Sequence, residues 1–196
     1  MRATLDGRRQ LWKLVERVAE RLAIPFTVGG GVRSADDGER LLQAGADKVG
    51  VNSAALARPE LITELAERLG SQAVVVAIDA ERGRVRSHAG TVAAGRDAVE
   101  WAREAEERGA GEILLTAIDT DGTRNGYDLE LTRAVADAVS LPVIASGGAG
   151  TARHVADALD VAQAALLASI LHERPARLVT LRDELRDLGV PLRDAA

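Results

Sequence analysis

The chain contains no cysteine, which excludes disulfides, thiolate nucleophiles and cysteine-based metal sites. Aromatic residues are nearly absent as well, at 2% of 196 residues, while 46% of the chain is hydrophobic. Ala, Val, Leu and Ile must therefore fill the interior, and small aliphatic cores suit layered α/β packing. No apolar run approaches the roughly 18 residues that a membrane helix requires. The opening MRATLDGRRQLW is too polar for the apolar stretch of a secretory signal. Excess positive charge is also missing: 25 Lys and Arg stand against 30 Asp and Glu, a net charge of −5. That balance argues against general binding of nucleic acid or anionic membranes. The three histidines form no His-x-x-x-His pair, so metal-ligand geometry is not suggested; no cofactor is expected either. The expectation is a cytoplasmic protein whose ligands are held by local donors rather than by a basic surface.

The content that remains points to one domain over residues 1–196. Charged residues reach 28% with both signs interspersed, and strand-like and helix-like segments alternate throughout. Apolar residues Leu11, Leu14, Val15, Val18, Ala19 and Leu22 make a helical stripe over residues 7–22. Strand-like runs follow at 24–28, 48–51, 73–78, 112–118, 142–145 and 164–168. Helices are expected at 34–44, 59–69, 97–108, 129–139, 151–159 and 175–188. Ser34 is a candidate cap for the first of these, and Gly45, Gly70 and Gly109 are candidate stops. Residues 83–91 read as a small hairpin. Trp12 and Trp101 fall on helix faces as packing residues, and the run from Arg103 to Arg108 reads as a solvated face with i,i+4 pairs. Six near-continuous apolar strands alternating with helices predict a parallel sheet buried on both faces. The fold class is α/β of the (β/α)8 barrel type, with about six strands here and no strand ahead of the first helix.

In such a fold the chemistry gathers where strands end. Gly29, Gly30 and Gly31 follow the first strand, Asn52 and Ser53 the second, Ser146, Gly147 and Gly148 the fifth, and Ser169 the sixth. Glycines allow backbone amides to approach a phosphate. They also serve as plain tight turns, and one glycine run alone is weak. Two clusters on adjacent strand ends suggest a substrate with a phosphate at each end. Asp79, Asp119 and Asp121 also stand at strand ends. Asp119 and Asp121 suit turns, whereas Asp79 closes an unbroken apolar run and is the better candidate for acid/base work.

The segments PFTVGGGV (25–32), GADKV (45–49), GSQAVVVAID (70–79), GAGEILL (109–115), IDTDGT (118–123), GYD (126–128) and IASGGAG (144–150) together resemble the cyclase subunits of imidazole glycerol phosphate synthase. The resemblance runs in order along nearly the whole chain. It implies a barrel enzyme of histidine biosynthesis, a lyase whose glutaminase (glutamine amidotransferase) partner supplies ammonia. The substrate would be a phosphoribulosyl-formimino-aminoimidazole carboxamide ribotide. The products would be imidazole glycerol phosphate and an aminoimidazole carboxamide ribotide. Asp79 would be one of two catalytic aspartates. Gly30, Gly31, Asn52 and Ser53 would bind one phosphate, and Gly147, Gly148, Ala168 and Ser169 the other. Asp121, Gly122 and Ser146 would line the cleft. Lys48 and Glu112 would belong to a charged ring where ammonia enters, a pair that charge alone would explain as structural. Measured against that family, a first strand, a helix and a second strand are missing, and with them the other catalytic aspartate; either sequence upstream of Met1 supplies them, or the chain completes its sheet by self-association or by binding another chain. Two local departures stand out: Glu81 lies where relatives often carry a basic residue after the aspartate, and LDVAQ (159–163) replaces the usual approach to the last strand. Two other readings are a non-catalytic phosphate-binding or assembly module built on the same barrel, and the related ribotide aldose-ketose isomerase.

Overall fold

The structure is a computed structural model that describes residues 5–88, 90–173 and 177–192, with side chains described from Trp12 onward. Helix α1 (Leu5–Ala19) comes first, then strand β1 (Thr27–Gly29), helix α2 (Ala35–Gln43) and strand β2 (Lys48–Val51). A short helix α3 (Ser53–Ala57) leads into α4 (Glu60–Leu69) and the long strand β3 (Val74–Glu81). Strands β4 (Arg84–Ser87) and β5 (Val92–Asp97) then fold back before α5 (Ala98–Glu107) and β6 (Glu112–Ala117). The order closes with α6 (Leu129–Ala136), β7 (Val143–Ser146), α7 (Ala152–Leu159), β8 (Ala164–Ala165), α8 (Ser169–His172) and α9 (Arg177–Asp187). All six expected strands are present. Residues 175–176 of the helix expected at 175–188, and the Leu11 side chain, lie outside what the structure describes.

The hydrogen-bonded order of the sheet is β1-β2-β3-β6-β7-β8, with β4 and β5 attached to β3. Pairing is parallel for β1 with β2, β2 with β3 and β7 with β8. The hairpin expected at 83–91 is larger than its sequence signal, because β5 runs on to Asp97 and pairs antiparallel with β4. The short helices α3 and α8 were not legible as elements of their own.

By chain contacts the molecule divides into two compact units, Met1–Ala77 with Arg103–Ile113, and Ile78–Ala102 with Leu114–Ala196. In the first, Val49, Val51, Val74 and Val76 of the strands are buried, as are Leu41, Leu61, Ile62 and Leu65 of the helices. In the second, a core of Tyr127, Ala145, Val155, Ile170, Leu181 and Leu185 joins α7, α8 and α9 to the strand layer. Ala and Val dominate both, as the scarcity of aromatics requires. Trp101 is fully buried, whereas Trp12 is only partly so, with the Arg40 guanidinium 5.1 Å from its ring centre. The α1 stripe is less complete than its periodicity suggests: Val15 is buried, but Leu14 is 55% exposed.

Local chemistry sets the boundaries. Ser34 Oγ accepts the Asp37 amide at 3.2 Å while Asp37 accepts the Arg33 amide at 3.0 Å, a reciprocal cap at the start of α2. Its far end closes through Gly45 at φ 104°, with the Ala46 amide donating to Leu41 and the Gly45 amide to Leu42. Asp128 and Thr151 cap α6 and α7 in the same side-chain manner. Strand entrances use a second device. The Asp47 carboxylate accepts the Phe26 amide at 2.9 Å, and the Phe26 carbonyl accepts the Asp47 amide at 3.0 Å. Gln163 repeats this at the last strand, its Oε1 accepting the Val143 amide at 2.8 Å and its amide donating to the Val143 carbonyl at 3.1 Å. The departure at LDVAQ therefore keeps the same clasp with a different side chain.

Candidate functional site

In the first unit, the parallel register sets Gly29 against Gly50, so Gly30, Gly31, Asn52 and Ser53 all follow the ends of adjacent strands. Gly30 and Gly31 have φ of 89° and 90°, a region that L side chains avoid. A Cβ at either would meet nothing within 4 Å. These glycines are thus set by backbone conformation, with open space where a Cβ would stand. Asn52 is the residue ahead of α3, and Ser53 begins that helix.

The opposite end of β2 carries Lys48, and β6 begins with Glu112. Their side chains form an ion pair, 29% and 20% exposed. Because β3 lies between β2 and β6, the pair spans the start of that strand. The two ends of β2 differ in kind: Lys48 of the charge pair at its start, Asn52 and Ser53 just past its finish.

In the second unit the loop after β6 is folded tightly against the end of β7. The Asp121 amide donates to Ala117 at 3.0 Å, and Thr120 Oγ1 donates to the carbonyls of Ala117 and Gly147 at 3.3 and 3.1 Å. The Gly126 amide donates to the Gly148 carbonyl at 2.9 Å. A Cβ on Gly147 would lie 2.6 Å from the Ala117 oxygen and 3.4 Å from Asp121 Cβ; one on Gly148 would lie 1.9 Å from the Gly126 oxygen. So Asp121, Ser146, Gly147 and Gly148 are brought together, and Gly147 and Gly148 are there because backbone must pass backbone. Gly122 has φ of 75° with open space around its missing Cβ. Ala168 and Ser169 start α8 after β8, which pairs with β7 through Ile144 and Ala145. Arg124, Gly150, Ile170, Glu173 and Arg177 enclose a neighbouring cavity of about 160 Å³. Its two arginines are each held by a glutamate, Arg124 by Glu173 and Arg177 by Glu184.

Asp79 lies near the end of β3, partly exposed between the inaccessible Ile78 and Ala80. The Ile118 amide donates to the Ala80 carbonyl at 2.8 Å, so Asp79 adjoins the strand end from which the Asp121 loop departs. Asp119 has the structural role its turn setting suggested: its carboxylate accepts the Arg82 amide at 2.7 Å, tying the β6 end to the hairpin. Tyr127 had no assigned role beyond its motif. Its hydroxyl donates to the Leu166 carbonyl at 2.9 Å, and burial pushes its pKa up to about 12. Thr120 was also missed, since a threonine between two aspartates gives no sequence sign of the loop it pins. Among the described residues no group of three His, Asp or Glu could hold a metal, and no helix is long and apolar enough to cross a membrane.

The profile of the histidine biosynthesis protein family matches residues 1–177. The chain belongs to that family. It is 56% identical to the imidazole glycerol phosphate synthase subunit HisF of Acidobacterium capsulatum over 197 aligned positions, covering 97% of this chain and 78% of that protein. The HisF of Myxococcus xanthus is 54% identical with the same coverage. That of Exiguobacterium sibiricum is 51% identical, with 97% and 79% covered. Membership of the histidine biosynthesis family accords with the alternating strands and helices of a (β/α)8 barrel and with the order of motifs along the chain.

Proposed function

We propose that this chain is an imidazole glycerol phosphate synthase cyclase subunit. It uses ammonia to convert the phosphoribulosyl-formimino-aminoimidazole carboxamide ribotide into imidazole glycerol phosphate and aminoimidazole carboxamide ribotide. The observation that carries the reading is identity above 50% along 97% of the chain to relatives bearing that subunit name. The isomerase reading finds no support in those names.

Asp79 is one of the two catalytic aspartates of this reading, a general acid/base that moves protons as ammonia adds and the ring closes. Its support is its position, a carboxylate following the apolar stretch of β3 beside the Ile118–Asp121 turn. One phosphate of the substrate is assigned to Gly30, Gly31, Asn52 and Ser53, the other to Gly147, Gly148, Ala168 and Ser169, with Asp121, Gly122 and Ser146 along the substrate. The open space above Gly30 and Gly31 supports the first assignment. The packed neighbours of Gly147 and Gly148 give a second reason for glycine there, one that holds with or without a ligand.

A subunit name implies a partner subunit. We assign that partner as a glutaminase, with the Lys48–Glu112 pair at the end where ammonia enters. The support is the polarity of β2, with Lys48 at its start and Asn52 and Ser53 just past its finish. The test is turnover by the purified chain given an ammonium salt and the ribotide, with both products followed by chromatography and mass spectrometry. Ammonium-dependent formation of the two products in equal amounts is expected. Folded protein that binds the ribotide without turnover would replace the reading with a phosphate-binding module.

A further inference from the structure

The hairpin that continues β3 carries its charges on one face. From Ala77 onward burial alternates: Ile78 and Ala80 are inaccessible, while Asp79 and Glu81 are partly exposed. On β4 the pattern repeats, with Val85 and Ser87 buried and Arg86 partly exposed. Antiparallel register sets Asp79 directly against Arg86, and Glu81 against Arg84. Directly opposed residues of an antiparallel pair project on the same face, their Cβ atoms about 5 Å apart. Arg86 therefore leaves the sheet on the same face as Asp79, directly across from it.

Its other contacts favour that placement. Across β4, the residue opposite Arg86 on β5 is Ala93, which offers no competing acid. Arg86 Nη2 stands 3.3 Å from Glu81 Oε2, and Glu81 is two residues from Asp79 on the same strand face. Arg86 Nε is buried without a hydrogen-bond partner among the described residues. One end of the guanidinium is thus anchored, and the charge sits in register with the aspartate.

We propose that Arg86 is a positioning residue for the reaction. Glu81 orients its guanidinium, and that fixed positive charge holds the Asp79 carboxylate in place for proton transfer. The proposal rests on the assignment of Asp79 as the acid/base group. An arginine suits the role because it stays charged at any working pH. If the cluster were only surface charge pairing, Arg86 would affect stability slightly and turnover not at all.

The test uses Arg86→Met, which keeps the apolar stem and removes the charge, and Arg86→Lys, which restores a charge. In the ammonium-driven assay, Arg86→Met is expected to lower kcat roughly 10- to 100-fold with KM within about twofold. Arg86→Lys is expected to recover most of that loss. An unchanged kcat in Arg86→Met, or a lysine variant as poor as the methionine one, would overturn the proposal. A denaturant-unfolding cycle of Asp79→Asn and Arg86→Met gives a readout independent of turnover. Coupling of about threefold or more in the unfolding constant supports the partnership. Strict additivity overturns it. A wild-type chain with no turnover but clear coupling would remove the cyclase reading and leave the Asp79–Arg86 pairing standing.

Discussion

At Gly148 an added methyl group would sit 1.9 Å from the Gly126 carbonyl oxygen, and at Gly30 it would meet nothing within 4 Å, although both backbones have φ near 90–106°. The same substitution should therefore do different things. Gly148→Ala must displace the loop after β6 and is expected to destabilise the fold by about 3 kcal/mol, read from chemical denaturation. Gly30→Ala meets only the backbone preference, about 1 kcal/mol, and should raise KM for the bis-phosphate substrate well beyond its effect on folding. Equal destabilisation by both would contradict the distinction. Tyr127 offers a further test at this scale because it is the chain's only tyrosine. Its buried hydroxyl ionises near 12 in the folded protein and near 10 in the unfolded chain. The unfolded state thus loses the proton first. The contribution is whole below pH 10 and disappears as pH rises toward 12, on the order of 2 kcal/mol in all. Tyrosinate absorbance should show the late midpoint, and Tyr127→Phe should lack this part of the alkaline stability loss.

Elements are held by a few side chains at their ends. Asp128 Oδ1 accepts the Leu131 amide at 2.9 Å at the start of α6, so Asp128→Ala should cost about 1 kcal/mol in unfolding free energy. Ends of this kind were readable in the sequence: Ser34, Gly45 and Gly109 stand where periodicity stops, and their bonds are the capping ones expected. Strand lengths were not readable. The apolar run at 24–28 yields a ladder beginning only at Thr27, because the Asp47 carboxylate takes the Phe26 amide and Pro25 has none to give. At 164–168 the ladder stops at Ala165, and the Leu166 carbonyl is taken by Tyr127, 39 residues away. Hydropathy cannot report such long-range partners. The β4–β5 hairpin was underestimated because β5 is largely exposed, leaving no apolar run to mark it. Asp79 was legible because a charge ending six apolar residues is conspicuous. Arg86 was not, since its relation to Asp79 exists only through strand register.

On the scale of the whole molecule, a net charge of −5 fits the proposal that backbone amides and hydroxyls at strand ends, rather than a basic surface, take the phosphates. The Lys48–Glu112 pair stands at the other end of its strand and is partly exposed, so it adds at most about 1 kcal/mol to stability. Its larger effect is expected in assembly. Lys48→Met should lower glutamine-driven turnover in the presence of a glutaminase more than it lowers turnover driven by added ammonium. Equal losses in the two assays would remove the pair from the ammonia route. Asp79 is proposed to do the proton transfer of a cyclase. The most direct measurement compares Asp79→Asn with the unaltered chain in the ammonium-driven reaction, together with ribotide affinity by calorimetry. A loss in kcat of about 10²- to 10⁴-fold with affinity retained is the predicted result. Turnover by Asp79→Asn equal to that of the unaltered chain would contradict it.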